Sequence, residues 1–163
     1  MTTTVAHPAP TPALVALPLG DGLYLIDTDY VRPGLAASHL IVDQGRAAFV
    51  DTGPGPAAPK LLAALDEVGI DRADVDYLFL THVHLDHAGG AGQMMRALPN
   101  AKAVLHPRGA PHLVDPSKLI AGTIAVYGEA NYAQMYGELL PIPSERVLLV
   151  NDGLRLKLGQ RTF

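Results

Sequence analysis

Apolar and polar positions in the first third of the chain follow the pattern of two β-hairpins. Apolar runs over 14–19 and 22–27 are separated by a Gly-Asp-Gly turn, and runs over 38–43 and 47–51 by a Gln-Gly-Arg turn. Short turns that contain Asp-Gly or Gly between apolar runs favour tight hairpins. The chain is therefore predicted to open with antiparallel strands that form one layer of a sheet.

The apolar pattern after residue 58 alternates between the helical period and short strand-like runs. Leu61, Leu62, Leu65 and Val68 lie on one face of a predicted helix. Further helices are predicted over 90–98, 116–127 and 131–140, and further strands over 77–80, 101–106, 147–150 and 154–158. This order predicts an α+β or α/β domain in which helices cover one face of the sheet.

Four candidate metal ligands directly follow the apolar run 77–80: His82, His84, Asp86 and His87. Imidazole nitrogens and carboxylate oxygens bind divalent metals, and zinc is the default for a histidine-rich set, although iron and manganese accept the same donors. Alternate residues of an extended segment point the same way, so His82 and His84 can reach one ion. Asp86 and His87 can reach a second ion, about 3.5–4 Å away as in two-metal sites. The alternative is that these histidines are only solvent-exposed or cap a helix. Four candidate ligands in this order make that alternative less favoured.

The same stretch carries a family resemblance. Residues 81–87 match the His-x-His-x-Asp-His signature of the metallo-β-lactamase-fold hydrolases, and Gly89-Gly90 resembles the glyoxalase II-like branch of that family. Upstream, 51–53 is similar to the Asp-Thr-Gly turn that precedes the signature. The resemblance implies an α+β fold, the αββα sandwich with metals at the strand ends, of which this chain is expected to supply about the first half.

Roles for individual residues follow from the resemblance. It implies that His82 and His84 bind the first metal and that Asp86 and His87 bind the second. Asp86 is also implied as the catalytic residue that orients the nucleophilic water or carries its proton. Asp51 is implied as an outer carboxylate that fixes a ligand ring or the loop. The alternative for Asp51 is that it only caps the turn that follows it.

Part of the family's ligand set has no counterpart here. A further histidine, a bridging aspartate and a last histidine come downstream in the family, whereas this chain has no histidine after His112. Three explanations stay open. The sequence is a fragment of a longer enzyme, which is the favoured one; or a second chain or a second copy completes the core; or His106 and His112 serve as substitute ligands.

Composition narrows the class of protein. With 163 residues, 48% hydrophobic and 17% charged, the chain is predicted to form one globular domain over 13–163, with 1–12 as a flexible tail that lacks the features of a signal peptide. The net charge of −4 argues against a nucleic-acid partner. No stretch approaches the roughly 20 apolar residues of a membrane span. The chain has no cysteine, which restricts metal ligands to nitrogen and oxygen and fits a cytoplasmic location.

The leading hypothesis is a hydrolase that uses a metal-activated water on a small-molecule substrate. A thioester, a lactone or an ester fits this chemistry, and the choice among these and β-lactam or phosphodiester substrates stays open. Two alternatives belong to other classes: a non-catalytic metal- or partner-binding fragment, and an iron-dependent oxygenase on the same fold.

Overall fold

One mixed sheet of seven strands forms the centre of the computed structural model, which describes residues 14–163. The predicted tail 1–12 lies outside the described residues. The seven strands of the sheet follow one another in sequence order: β1 (Leu17–Gly20), β2 (Leu23–Asp27), β3 (Ala37–Asp43), β4 (Arg46–Val50), β5 (Val75–Phe79), β6 (Lys102–Leu105) and β7 (Val147–Leu149). The pairs from β1 to β4 are antiparallel, as the two predicted hairpins require, and the pairs from β4 to β7 are parallel.

Helices make the connections between the parallel strands. They are α1 (Ala58–Val68), α2 (Leu85–Ala88), α3 (Ala91–Ala97), α4 (Ala110–Val114), α5 (Ser117–Tyr127) and α6 (Glu129–Tyr136), with single 3₁₀ turns at Gly55–Ala57, Arg72–Asp74 and Ser144–Arg146. Helix α1 packs on β2 and α3, and α3 packs on β6. The longest helices have 11 residues, so within 14–163 no helix is long and apolar enough to cross a membrane.

The main core lies between the sheet and helices α1 and α3. Its largest side chains are completely buried and include Phe49 of β4, Leu78 of β5, Leu61 of α1 and the pair Met94 and Met95 of α3. Successive side chains of a strand point to opposite faces of the sheet, so every second residue of these strands faces the helices. The two central strands are thereby held on a rigid, closely packed layer.

The other face of the sheet carries a smaller apolar cluster. Ile41 and Ala48 are buried there against Leu158, with Tyr77 and Phe79 packed beside them. Leu158 belongs to a separate hairpin of β8 (Lys157–Leu158) and β9 (Arg161–Thr162), which forms a second, two-stranded sheet. This hairpin supplies a second β layer over part of the first, and the arrangement confirms the predicted α+β class.

Two predicted elements differ from the structure. The half-buried strand over 154–158 is wrong except for its last two residues, since a turn precedes it, with Gly153 at φ +85°, and Leu154 is 48% exposed. The helix over 131–140 begins earlier, at Glu129, and ends at Tyr136 because Gly137 adopts φ +65°. A left-handed glycine ends a helix whatever the apolar pattern beyond it.

Substitution of Leu61 by alanine tests the main core. Leu61 is 0% exposed, so Leu61→Ala is expected to lower the free energy of unfolding by about 2–5 kcal/mol through lost burial and a residual cavity. Val126, 75% exposed on α5, is the control, and Val126→Ala is expected to change stability by less than about 0.5 kcal/mol. Urea denaturation followed by circular dichroism measures both, and equal midpoints would contradict the core assignment.

Candidate metal centre

The two sequence motifs leave the sheet at neighbouring points on one edge. Strands β4 and β5 are parallel, with Val50 opposite Phe79, so their carboxyl ends lie side by side. Asp51 extends this pairing, because its backbone N–H donates to the carbonyl of Phe79 at 2.8 Å. The Asp-Thr-Gly turn and the histidine-rich loop therefore begin next to each other, although 30 residues separate Asp51 from Thr81.

Backbone hydrogen bonds then fasten the two loops together. The N–H groups of Thr52 and Gly53 both donate to the carbonyl of His87, at 2.7 and 3.1 Å, and the N–H of Gly90 donates to the carbonyl of Gly53 at 2.8 Å. These bonds fix the position of His87 relative to the end of β4 without using its side chain.

Glycine is required where the loops approach most closely. Gly53 adopts φ +67°, and a Cβ at this position would lie 2.6 Å from Cγ2 of Thr28. A Cβ on Gly89 would collide with the carbonyl oxygen of Leu85 and would lie 3.2 Å from Cα of Pro54. Gly89 thus allows the histidine-rich loop to approach Pro54, and Gly53 lets the Asp-Thr-Gly turn pack against Thr28 in the loop after β2.

The Asp51 carboxylate lies at the centre of the hydrogen-bond network. It is 6% exposed and accepts the Thr81 N–H at 2.9 Å, the Thr81 hydroxyl at 2.8 Å and His87 Nδ1–H at 3.0 Å. Its own backbone has φ +58°, a left-handed conformation that Asp tolerates better than most residues. The buried hydroxyl of Ser38 donates to the Asp51 carbonyl at 2.9 Å and helps to hold that conformation.

The same network sets the tautomers of two histidines. A carboxylate can only accept, so the single hydrogen of the Thr81 hydroxyl points to Asp51. The Thr81 oxygen, 3.0 Å from Nδ1 of His82, must then accept from that nitrogen. His82 and His87 therefore both carry hydrogen on Nδ1, which leaves each Nε2 with a free lone pair for a metal.

The predicted ligands are gathered in one place. The ring centroid of His82 lies 4.7 Å from that of His84 and 4.3 Å from that of His87. Nε2 of His87 lies 3.5 Å from Oδ2 of Asp86. Two ligands at about 2.0–2.2 Å from a tetrahedral zinc are separated by roughly 3.3–3.6 Å, so this pair has the spacing that one ion requires.

A closed ligand set is not formed in this conformation. Within residues 14–163, no three His, Cys, Asp or Glu side chains are placed to hold one metal ion together. The centre therefore offers pairs of donors. Two protein ligands leave several positions on an ion open to water or substrate, and they bind it less tightly than a complete set.

The two histidines considered as substitute ligands have other surroundings. Nδ1 of His106 accepts the backbone N–H of Arg108 at 3.2 Å, as in an ordinary turn. His112 lies on α4 and lines a cavity with Lys118 and Val126. Neither is among the residues that line the cavity beside His84 and Asp86.

Several residues at this centre escaped the sequence interpretation. The motif assigns Thr81 no role of its own, and its position directly before His82 is the sequence signal that points to one. A cavity of about 320 Å³ beside His84 and Asp86 is walled by tyrosines from three segments, and no spacing in the sequence indicates it. Burial raises the pKa of one of them, Tyr136, above its usual value, and the hydrogen bond with Tyr30 adds to this shift.

Comparisons with known proteins point to one family. The family model described as the metallo-beta-lactamase superfamily matches residues 31–159. A hydroxyacylglutathione hydrolase from Salmonella paratyphi A is 38% identical over 94 residues, which cover 55% of this chain and 34% of the relative. The chain thus matches about one third of the length of the curated relatives.

Solved structures agree on the fold. A variant metallo-beta-lactamase from Cronobacter sakazakii has a TM-score of 0.66 at 20% identity, over 92% of this chain and 52% of the other. A variant metallo-beta-lactamase from Legionella gormanii has a TM-score of 0.65 at 21% identity, over 96% of this chain and 53% of the other. The described domain therefore corresponds to about half of each of these enzymes.

Asparagine at position 51 tests the orienting network. The amide of Asp51→Asn would present N–H groups to donors and release the rings of His82 and His87, so zinc affinity is expected to fall about 10–100-fold. Asp27 also accepts two backbone N–H groups, at 3.0 and 2.7 Å, away from this centre, which makes Asp27→Asn a matched control. Competition with a chromophoric chelator measures both affinities, and an unchanged value for Asp51→Asn would contradict the network's role.

Alanine at position 53 tests the close packing of the Asp-Thr-Gly turn against Thr28. Gly34 and Gly53 both have positive φ, but a Cβ at Gly34 meets nothing within 4 Å. Both substitutions incur the left-handed strain of about 1–2 kcal/mol, and Gly53→Ala alone adds the clash with Thr28. We expect a clearly larger drop in the urea midpoint for Gly53→Ala than for Gly34→Ala. Equal drops would show that the space at Gly53 does not matter.

Proposed function

The chain belongs to the metallo-beta-lactamase superfamily, a family of metallo-hydrolases, and we propose that it cleaves a small thioester, lactone or ester with water. The observation that carries the proposal is a pair of metal-ligating atoms on α2, the short helix that follows β5: Asp86 Oδ2 and His87 Nε2 lie 3.5 Å apart, and the His87 ring is held by Asp51. Such a pair fits a divalent ion in an open, water-accessible position.

Zinc is the proposed metal, with one or two ions per site. In this proposal His82 and His84 hold one ion, and Asp86 and His87 hold the other; iron or manganese would use the same donors. A bound zinc supplies a water whose pKa is lowered to about 7 and polarises the carbonyl of the substrate.

The protein's own groups then have distinct tasks. The Asp86 side chain is 33% exposed, so its carboxylate can accept a hydrogen bond from the attacking water and take up its proton. Thr81 and Asp51 do not touch the water. They hold the rings of His82 and His87 through Nδ1, which leaves each Nε2 available to a metal.

The thioester is the first substrate class to test. The curated relative with 38% identity is a hydroxyacylglutathione hydrolase, and the alignment covers 94 residues, or 34% of that relative's length. The solved structures are named as metallo-beta-lactamases, but at 20–21% identity they support the fold alone. The net charge of −4 makes a nucleic-acid phosphodiester the least suitable substrate.

A second candidate function is a metal-binding unit without turnover. It is favoured by the absence, in the part of the chain that the structure describes, of three side chains arranged around one ion. An ion held by two ligands exchanges readily, which lowers the occupancy on which hydrolysis would depend.

Replacement of His84 separates these candidates. Purified protein is expected to contain zinc by elemental analysis and to release thiol from a hydroxyacylglutathione, with loss of the activity in EDTA and recovery on addition of zinc. His84→Ala is expected to lower the rate of hydrolysis at least about 100-fold, because a metal ligand is lost. His112→Ala is the control and should retain activity and metal.

The outcomes decide between the two candidates. Chelator-insensitive hydrolysis, or a His84→Ala variant as active as the parent, would contradict the metallo-hydrolase. Bound zinc that is lost in His84→Ala, without thiol release from any thioester, would instead support the metal-binding unit.

A further inference from the structure

A cavity of about 320 Å³ opens directly beside the candidate metal centre. His84 and Asp86 form one wall. The rest of the lining includes Tyr30, from the loop after β2, and residues of α5 and α6, among them Leu119, Tyr127 and Tyr136; the three tyrosines form what we call the tyrosine wall. A molecule in this cavity would therefore touch both the proposed metal ligands and a surface made of aromatic and aliphatic groups.

The aromatic wall is packed and ordered by its own contacts. The rings of Tyr30 and Tyr136 are stacked with centroids 5.7 Å apart, and those of Tyr127 and Tyr132 lie 6.2 and 6.0 Å from Tyr136. Tyr136 is 5% exposed and belongs to a buried cluster with Leu85 of α2. The wall is thus tied to the helix that carries Asp86 and His87.

The polar groups of the cavity suit an uncharged ligand. The hydroxyls of Tyr30 and Tyr136 lie 2.9 Å apart, so one donates to the other and one phenolic hydrogen remains for a ligand oxygen. The charged group of the lining is the Asp86 carboxylate, and no lysine or arginine lines the cavity. A ligand carboxylate that lay against the tyrosines, away from the proposed metal ligands, would therefore find no lysine or arginine with which to pair.

The size of the cavity suits a small apolar group. Its volume of about 320 Å³ lies at the lower end of the range for ligand pockets, about 300–1,000 Å³. One aromatic ring or a short alkyl chain would fill much of such a space.

A larger cavity of about 460 Å³ is a weaker candidate for the same role. It is lined by Asp29 and Lys60 and contains none of the four predicted metal ligands. The Lys60 ammonium is already paired with Asp29, at 2.6 Å, so the cation of this cavity is neutralised within the protein.

We propose that the tyrosine-lined cavity binds the acyl side of the substrate, as an uncharged aromatic ring or short alkyl chain, with the scissile carbonyl next to His84 and Asp86. The proposal rests on the hydrolase function proposed above. It adds the substrate class: neutral, apolar acyl groups are accepted and anionic acyl groups are rejected.

Thioesters of N-acetylcysteamine with different acyl groups test the preference. We expect kcat/KM for the phenylacetyl thioester to exceed that for the succinyl thioester by at least about tenfold. Thr123→Phe, which fills the cavity from α5, is expected to lower the phenylacetyl value by about tenfold and to leave the acetyl value within about twofold. Ala125→Phe, on an exposed position of the same helix, is the matched control and should change neither.

Binding of phenylacetamide provides a measurement that needs no turnover. The chain has no tryptophan, and four of its six tyrosines lie in or against the wall, so tyrosine fluorescence reports on the cavity directly. Saturable quenching by phenylacetamide is expected in the parent and in Ala125→Phe. It should be lost in Thr123→Phe and much weaker with 4-carboxyphenylacetamide, whose added carboxylate would lie against the tyrosines.

These two measurements separate the cavity from the chemistry. Saturable, Thr123→Phe-sensitive quenching supports the acyl cavity even if no thioester is hydrolysed, in which case the proposed hydrolase function alone has failed. Quenching that 4-carboxyphenylacetamide matches, or that Thr123→Phe leaves unchanged, overturns the cavity proposal. Zinc-dependent hydrolysis with equal kcat/KM for phenylacetyl and succinyl thioesters overturns it as well, and leaves the hydrolase intact.

Discussion

The buried carboxylate of Asp51 is the interaction on which the centre depends. It receives hydrogen bonds from the backbone and hydroxyl of Thr81 and from Nδ1 of His87, and so joins the end of β4 to the loop after β5. Because the Thr81 hydroxyl is committed to this carboxylate, the orientation of His82 follows from it too. One acidic group thus sets the direction in which two imidazoles present their free nitrogens.

This arrangement is possible because the sheet brings two distant loops to one edge. Strands β4 and β5 are parallel neighbours, and both are anchored by fully buried side chains such as Phe49 and Leu78. A rigid strand end holds a ligand residue more accurately than a free loop does. The backbone bonds from Thr52 and Gly53 to the carbonyl of His87 extend that rigidity beyond the strands.

The proposed reactivity and the proposed selectivity come from different parts of the fold. The strand ends and the short helix α2 carry the proposed metal ligands, whereas α5, α6 and the loop after β2 build the tyrosine wall. His84 and Asp86 belong to both surfaces, so a substrate that lay against the tyrosine wall would have its carbonyl next to the proposed metal ligands. Family membership predicts only the surface that carries the metal ligands. It does not predict the substrate, because one fold can carry sites for many different substrates.

The sequence by itself determined the local features: the hairpins, the apolar face of α1, and the cluster of His82, His84, Asp86 and His87 after a buried strand. Each is written within a few adjacent residues, as a spacing or a period. The tertiary structure decided the features that depend on distant residues. The contact between Asp51 and Thr81 spans 30 residues and that between Tyr30 and Tyr136 spans 106, and no local pattern encodes either. The early end of α6 at Gly137 likewise depended on a backbone angle that apolar spacing does not contain.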